Sequence, residues 1–124
     1  PAVSHYTTND AMGAFFLAMR EADAFAARAG RAEGDAREAL YRQAATAYRT
    51  ALAHVPVAKT RTRAIVAEGV AACLTKAGDA LAAHTLAAEL LAAPNLTPDA
   101  RDALVHHLTP YLLQDAETPC EPSP

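Results

Sequence analysis

Tryptophan is absent from the chain, and three phenylalanines and four tyrosines are all the large rings it can commit to a core. Glycine is sparse too, at five residues in 124. A β-rich fold leans on aromatic and β-branched side chains and on glycine-bearing turns, so this supply argues against one. Two cysteines are too few for the disulfide framework of a small secreted domain. Reduced thiols and a cytoplasmic setting are therefore expected. Cys73 stands in an apolar helical run and reads as a small core residue, whereas Cys120 lies in a proline-rich tail. No apolar run approaches the ~20 residues of a membrane span, because Arg and Asp interrupt each one. Basic residues are outnumbered, 11 against 14 acidic, for a net charge of −3. General nucleic-acid binding needs a basic domain and is set aside.

What the chain has in excess is alanine, roughly a quarter of all residues. Alanine is the best helix former and adds little volume, so Ala-rich helices approach closely with few bulky anchors between them. The length fits one domain with a modest core. The expectation is an all-α fold of about five helices. Residues 1–8 are read as extended, 9–114 as a single helical domain, and 115–124 as a disordered acidic, Pro-rich tail.

The punctuation along the chain supports this reading. Thr7, Thr8, Asn9 and Asp10 can cap a first helix carrying Met12, Phe15, Phe16, Met19, Ala22 and Ala26, which should stop near Gly30. Asp35 is expected to cap a second helix with the stripe Leu40, Ala44, Ala47, Tyr48, Ala51, Leu52 and Val55, ended by Pro56. A third starts around 59–62 and should bury Ile65, Val66, Val70, Cys73 and Leu74; Gly69 within it asks for a close neighbour. Gly78 and Asp79 end that helix and cap the fourth, which carries Leu81, Leu86, Leu90 and Leu91 and stops before Pro94. Thr97-Pro98-Asp99 starts a fifth, presenting Leu104, Val105, Leu108 and Leu112, and Pro110 should break it. Of the adjacent Phe15 and Phe16, one can enter the core while the other faces a groove or a second subunit.

Within the second helix, Ala44, Tyr48, Ala51 and Pro56 stand at the spacing small, x3, aromatic, x2, Ala, x4, Pro. This resembles the second helix of a tetratricopeptide repeat. Ala82, Leu86, Glu89 and Pro94 keep the spacing with leucine for the aromatic and Glu for Ala, and the two prolines are 38 residues apart against a family period of about 34. The resemblance implies degenerate antiparallel hairpins in a right-handed stack; a small helical bundle, similar to the microtubule-interacting-and-transport type over residues 10–77, is the alternative. It also implies a groove holding a peptide or a partner helix. Two hairpins plus one helix barely reach the three units such arrays normally need, so self-association near helix one or helix five is expected.

Charge is unevenly placed. Residues 35–63 carry six basic residues against two acids, net +4, while residues 64–124 carry two against eight, net −6. Lys59, Arg61 and Arg63 gather at a helix start, where cations oppose the helix dipole. In some tetratricopeptide domains a Lys and an Arg four apart clamp a partner's C-terminal carboxylate, the spacing of Lys59 and Arg63. The resemblance thus implies partner-binding residues at Lys59, Arg61 and Arg63, with Arg20 and Phe16 added from helix one, and an acidic peptide or a terminal carboxylate as ligand. Self-neutralisation by the acidic half is the competing reading.

No catalytic motif, cofactor motif or metal motif is present in the sequence. His106 and His107 point about 100° apart on a helix, and Asp102 with His106 makes only a pair. No cofactor and no membrane are called for. The expected function is a non-catalytic protein–protein interaction module, an adaptor or accessory subunit. The alternative is a small-molecule-binding or enzymatic helical bundle with a pocket built from distant residues, which a closed pocket with convergent polar groups would favour.

Overall fold

Alanine sets how closely these helices pack. A computed structural model describes the backbone of residues 2–113 and the side chains of residues 12–113. Five helices follow in order: α1 (Ala2–Gly30), α2 (Gly34–Ala53), α3 (Thr60–Lys76), α4 (Ala80–Leu91) and α5 (Pro98–Leu108), then a 3₁₀ turn at Thr109–Tyr111. No strand occurs among the described residues. Thirteen of the buried core residues are alanines, from Ala18 on α1 to Ala87 on α4, which leaves the bulk to a few larger side chains. Val70 and Leu108 are the largest that are fully enclosed.

The third helix is the hub. It packs against α2 on one side and against α4 and α5 on the other, while α1 packs on α2. Two contacts establish that α2 and α3 are antiparallel: Arg42 Nη2 donates to Ala77 O at 3.3 Å, and the Tyr48 ring lies over Gly69. A Cβ built on Gly69 would sit 3.5 Å from that ring, so the neighbour this glycine asks for is Tyr48. By contrast, α3 and α5 run parallel. Thr60 and Arg61 lie beside Asp99 at one end of the pair, and Glu68 meets His107 further along.

Local chemistry explains the joints. Gly78, at φ 85, closes α3 as a left-handed residue, with Asp79 N–H donating to Leu74 O and Gly78 N–H to Thr75 O. These are the paired bonds of a Schellman ending. Asp79 then caps α4 by accepting from Ala82 N–H, and Thr97 caps α5 by accepting from Ala100 N–H, each at 3.1 Å. Pro110 falls just past α5, which ends at Leu108 and tightens into the 3₁₀ turn.

Several expectations change. Residues 2–8, expected to be extended, are helical: α1 already begins at Ala2 and carries Thr7–Asp10 in its interior. No proline or glycine stands between Ala2 and Met12 to stop it, and polar residues inside a helix cost only tenths of a kcal/mol each. The second helix is not capped by Asp35: it spans Gly34–Ala53 with Glu33 at the cap position and no side-chain capping bond, and Gly34 takes the left-handed φ of 63 that glycine tolerates. Ile65, expected inside, is 49% exposed, and Leu81 on the apolar stripe of α4 is 65% exposed. Leu81 stands about 200° around α4 from Ala83, whose face meets the core. Ile65 lies on a side of α3 that its neighbours leave open. Leu40, Tyr48 and Leu90 are half-buried, whereas Ala44, Leu52, Val66, Val70, Cys73 and Leu86 are buried as expected. The tail 115–124, with Cys120, lies outside the described residues.

Candidate functional site

The parallel course of α3 and α5 opens a groove of about 480 Å³ between them. Thr60, Arg61 and Ile65 line it from α3, and Asp99, Asp102, Ala103, His106 and His107 from α5. Asp99, Asp102 and His106 follow one another at i, i+3 and i+7, so one face of α5 presents all three. At the inner end His107 Nδ1 and Glu68 Oε1 meet at 2.7 Å, an ion pair when the ring is protonated and a hydrogen bond when it is neutral. The His106 and His107 rings touch edge to face, their centroids 4.9 Å apart. The groove is open to solvent along its length, polar on the α5 side and apolar at Ile65.

The basic cluster does not converge. Lys59 stands ahead of α3 as its N-cap and makes no side-chain capping bond. Arg61 turns into the groove beside Asp99 and Asp102. Arg63, 200° further around the helix, faces a small pocket of Val57, Leu96, Ala100 and Leu104. Arg20 and Phe16 are on α1 and line neither space. Two other members of the +4 segment have structural partners: Arg37 places its charge 5.5 Å from the centroid of the buried Tyr41 ring, and Arg42 donates to Ala77 O. Lys76, from the acidic half of the chain, lies at the same 5.5 Å from the Tyr41 ring. Such cation–ring contacts contribute about 0.5–1 kcal/mol at partly exposed sites.

On the other side of α3, Tyr48 donates to Asp23 Oδ1 at 2.6 Å and ties α1 to α2. Burial, reinforced by the Asp23 carboxylate that accepts this bond, pushes the Tyr48 phenol well above its ordinary value. Burial also raises the Cys73 thiol, an effect Lys76 partly opposes, so this cysteine is an inert core group. Tyr111 is raised by burial and by the nearby Glu68 charge. His84 Nδ1 accepts the Leu113 N–H at 2.8 Å and holds the end of the 3₁₀ turn.

The Glu68–His107 pair and the exposure of Ile65 on the groove are not legible in the sequence. The spacing of Asp99, Asp102 and His106 along one face was a readable signal; the opposition of α3 to α5 was not. No group of three or more His, Cys, Asp or Glu among the described residues is arranged to hold a metal ion. No helix among them is long and apolar enough to cross a membrane. Comparison with protein-family models, curated proteins and solved structures finds no match, so function has to be argued from this geometry alone.

Proposed function

We propose that the chain is a non-catalytic protein–protein interaction module, and that the groove between α3 and α5 receives an extended peptide or a partner helix. The observation that carries the reading is Ile65, which is 49% exposed along an open groove whose lining also holds Arg61, Asp99, Asp102 and two histidines. An apolar anchor ringed by polar groups is how small binding surfaces combine affinity with specificity. The hairpins α1–α2 and α3–α4 and the parallel placement of α3 and α5 support a degenerate tetratricopeptide-type stack. In such a stack equivalent helices line the binding face. The openness of the groove favours this over a small-molecule or enzymatic pocket, which is ordinarily enclosed.

The ligand chemistry follows from the lining. Arg61 offers two donors to a side-chain or terminal carboxylate. Asp99 and Asp102 sit opposite and take a basic group, so the preferred peptide carries an acidic and a basic residue around an apolar one. Lys59, just ahead of the helix, adds positive potential at the same end. A selection from a random peptide library, run on the wild type and on Arg61→Glu and Ile65→Glu, tests this. The wild type should enrich such a motif, with affinity falling as salt screens charges over ~8–10 Å. Peptides that bind both variants as well as the wild type would remove the groove from consideration.

A further inference from the structure

We infer that a second copy of this chain packs against the N-terminal half of α1, in an antiparallel two-fold pair centred near Phe15. The starting point is length. The first helix has 29 residues and its partner α2 has 20, so roughly 13 Å of α1 runs past the end of α2. Next to this overhang Met12, Phe16 and Leu17 are 55%, 58% and 55% exposed, while Phe15 beside them packs on the core. Between them lies Gly13. A Cβ at Gly13 would meet nothing within 4 Å among the described residues, so no packing among them accounts for a glycine that weakens the helix. An exposed apolar patch with a gap in its middle is suited to the close approach of another helix.

The face is complementary to itself. In an antiparallel pair centred on position 15, position 17 of one copy opposes position 13 of the other, so Leu17 enters the gap at Gly13 twice by symmetry. Phe16 lies over Ala14 of the second copy. Arg20, exposed and without an ion-pair partner among the described residues, comes opposite position 10, an aspartate. A two-fold interface requires this reciprocity. Residues 114–124 contain no Leu, Ile, Val, Phe or Met and offer the patch no apolar cover. At about 100 Å² per half-exposed side chain, six of them remove roughly 600 Å² from water, half of the ~1,200 Å² at the lower end of stable interfaces. The pair is therefore weak, with a dissociation constant of roughly 10–100 µM.

Sedimentation equilibrium of the full chain from about 1 µM to about 1 mM reads this directly. The wild type should pass from monomer to dimer across that range. Gly13→Leu fills the gap and should weaken the dimer about tenfold or more while strengthening the helix by circular dichroism. Arg20→Asp should also weaken it, and Arg20→Asp combined with Asp10→Arg should restore it, since the pair is then reversed. A wild type that stays monomeric throughout, a Gly13→Leu chain that dimerises unchanged, or a charge swap that fails to restore association would each overturn the proposal. Arg61→Glu should leave the dimer intact, so failure here is separate from failure of the peptide groove.

Discussion

Tyr48 shows how one side chain joins three helices. Its ring covers Gly69 of α3, its hydroxyl donates to Asp23 of α1, and its own backbone belongs to α2. Tyr48→Phe keeps the ring contact and removes the bond, so it should cost about 1 kcal/mol, the usual net value for a partly exposed hydrogen bond. The pH dependence has a definite sign. The native phenol ionises well above the unfolded one, whose ordinary value is about 10. Its contribution is complete below that value and is lost as pH rises further, because the unfolded chain gives up the proton first. Urea midpoints measured from pH 8 to pH 11 should therefore fall less steeply for Tyr48→Phe than for the wild type. An identical slope would show that the Asp23 contact does not hold in solution.

At the scale of elements, the closeness of α2 and α3 depends on small residues facing each other. Ala44, Ala51, Ala64, Ala67 and Ala71 are all fully buried, and Gly69 lets the Tyr48 ring lie flat on α3. The gap there is 3.5 Å from an added Cβ, an ordinary contact distance. Gly69→Ala should thus be tolerated and gain stability, by up to about 1 kcal/mol from helix propensity. Gly69→Leu should lose about 1–3 kcal/mol by forcing the ring aside. Thermal melts of the two variants separate these effects, and equal destabilisation by both would mean the helices sit closer than described.

For the whole molecule, the arrangement makes α3 a shared wall between two half-cores, with few large side chains to spare. Leu108 closes the α3–α5 side and is fully buried, whereas Leu81 is 65% exposed. Leu108→Ala should cost about 2–5 kcal/mol, since a poorly filled core leaves a cavity behind, and Leu81→Ala should stay within about 0.5 kcal/mol. Chemical denaturation of both variants would test the inside and outside of this bundle; comparable losses would mean α4 is turned differently on its axis.

Composition and local chemistry were enough to determine the number of helices and most of their ends, though not the starts of α1 and α2. Alanine content, the Thr97-Pro98-Asp99 start, the Gly78–Asp79 joint and the breaks at Pro56 and Pro94 are short-range signals, decided within a turn or two of chain. The same holds for the burial of Ala44, Leu52, Val70, Cys73 and Leu86, which lie on the clearest stripes. Periodicity is less decisive where a stripe is broad: Ile65, expected inside, does not reach the interior, and Leu81 and Val105 on the stripes of α4 and α5 are exposed as well. What lies opposite what was decided only by the tertiary structure. The parallel meeting of α3 and α5 sets Glu68 on His107 and places Arg61 among aspartates, 39 residues separating the first pair. The basic run at Lys59–Arg63 reads as one cluster along the chain, yet successive side chains on a helix stand 100° apart, and the fold sends Arg61 and Arg63 into different spaces. Helix formation is settled by neighbours in sequence, whereas a site is settled by neighbours in space, and those are chosen by how whole helix faces fit together.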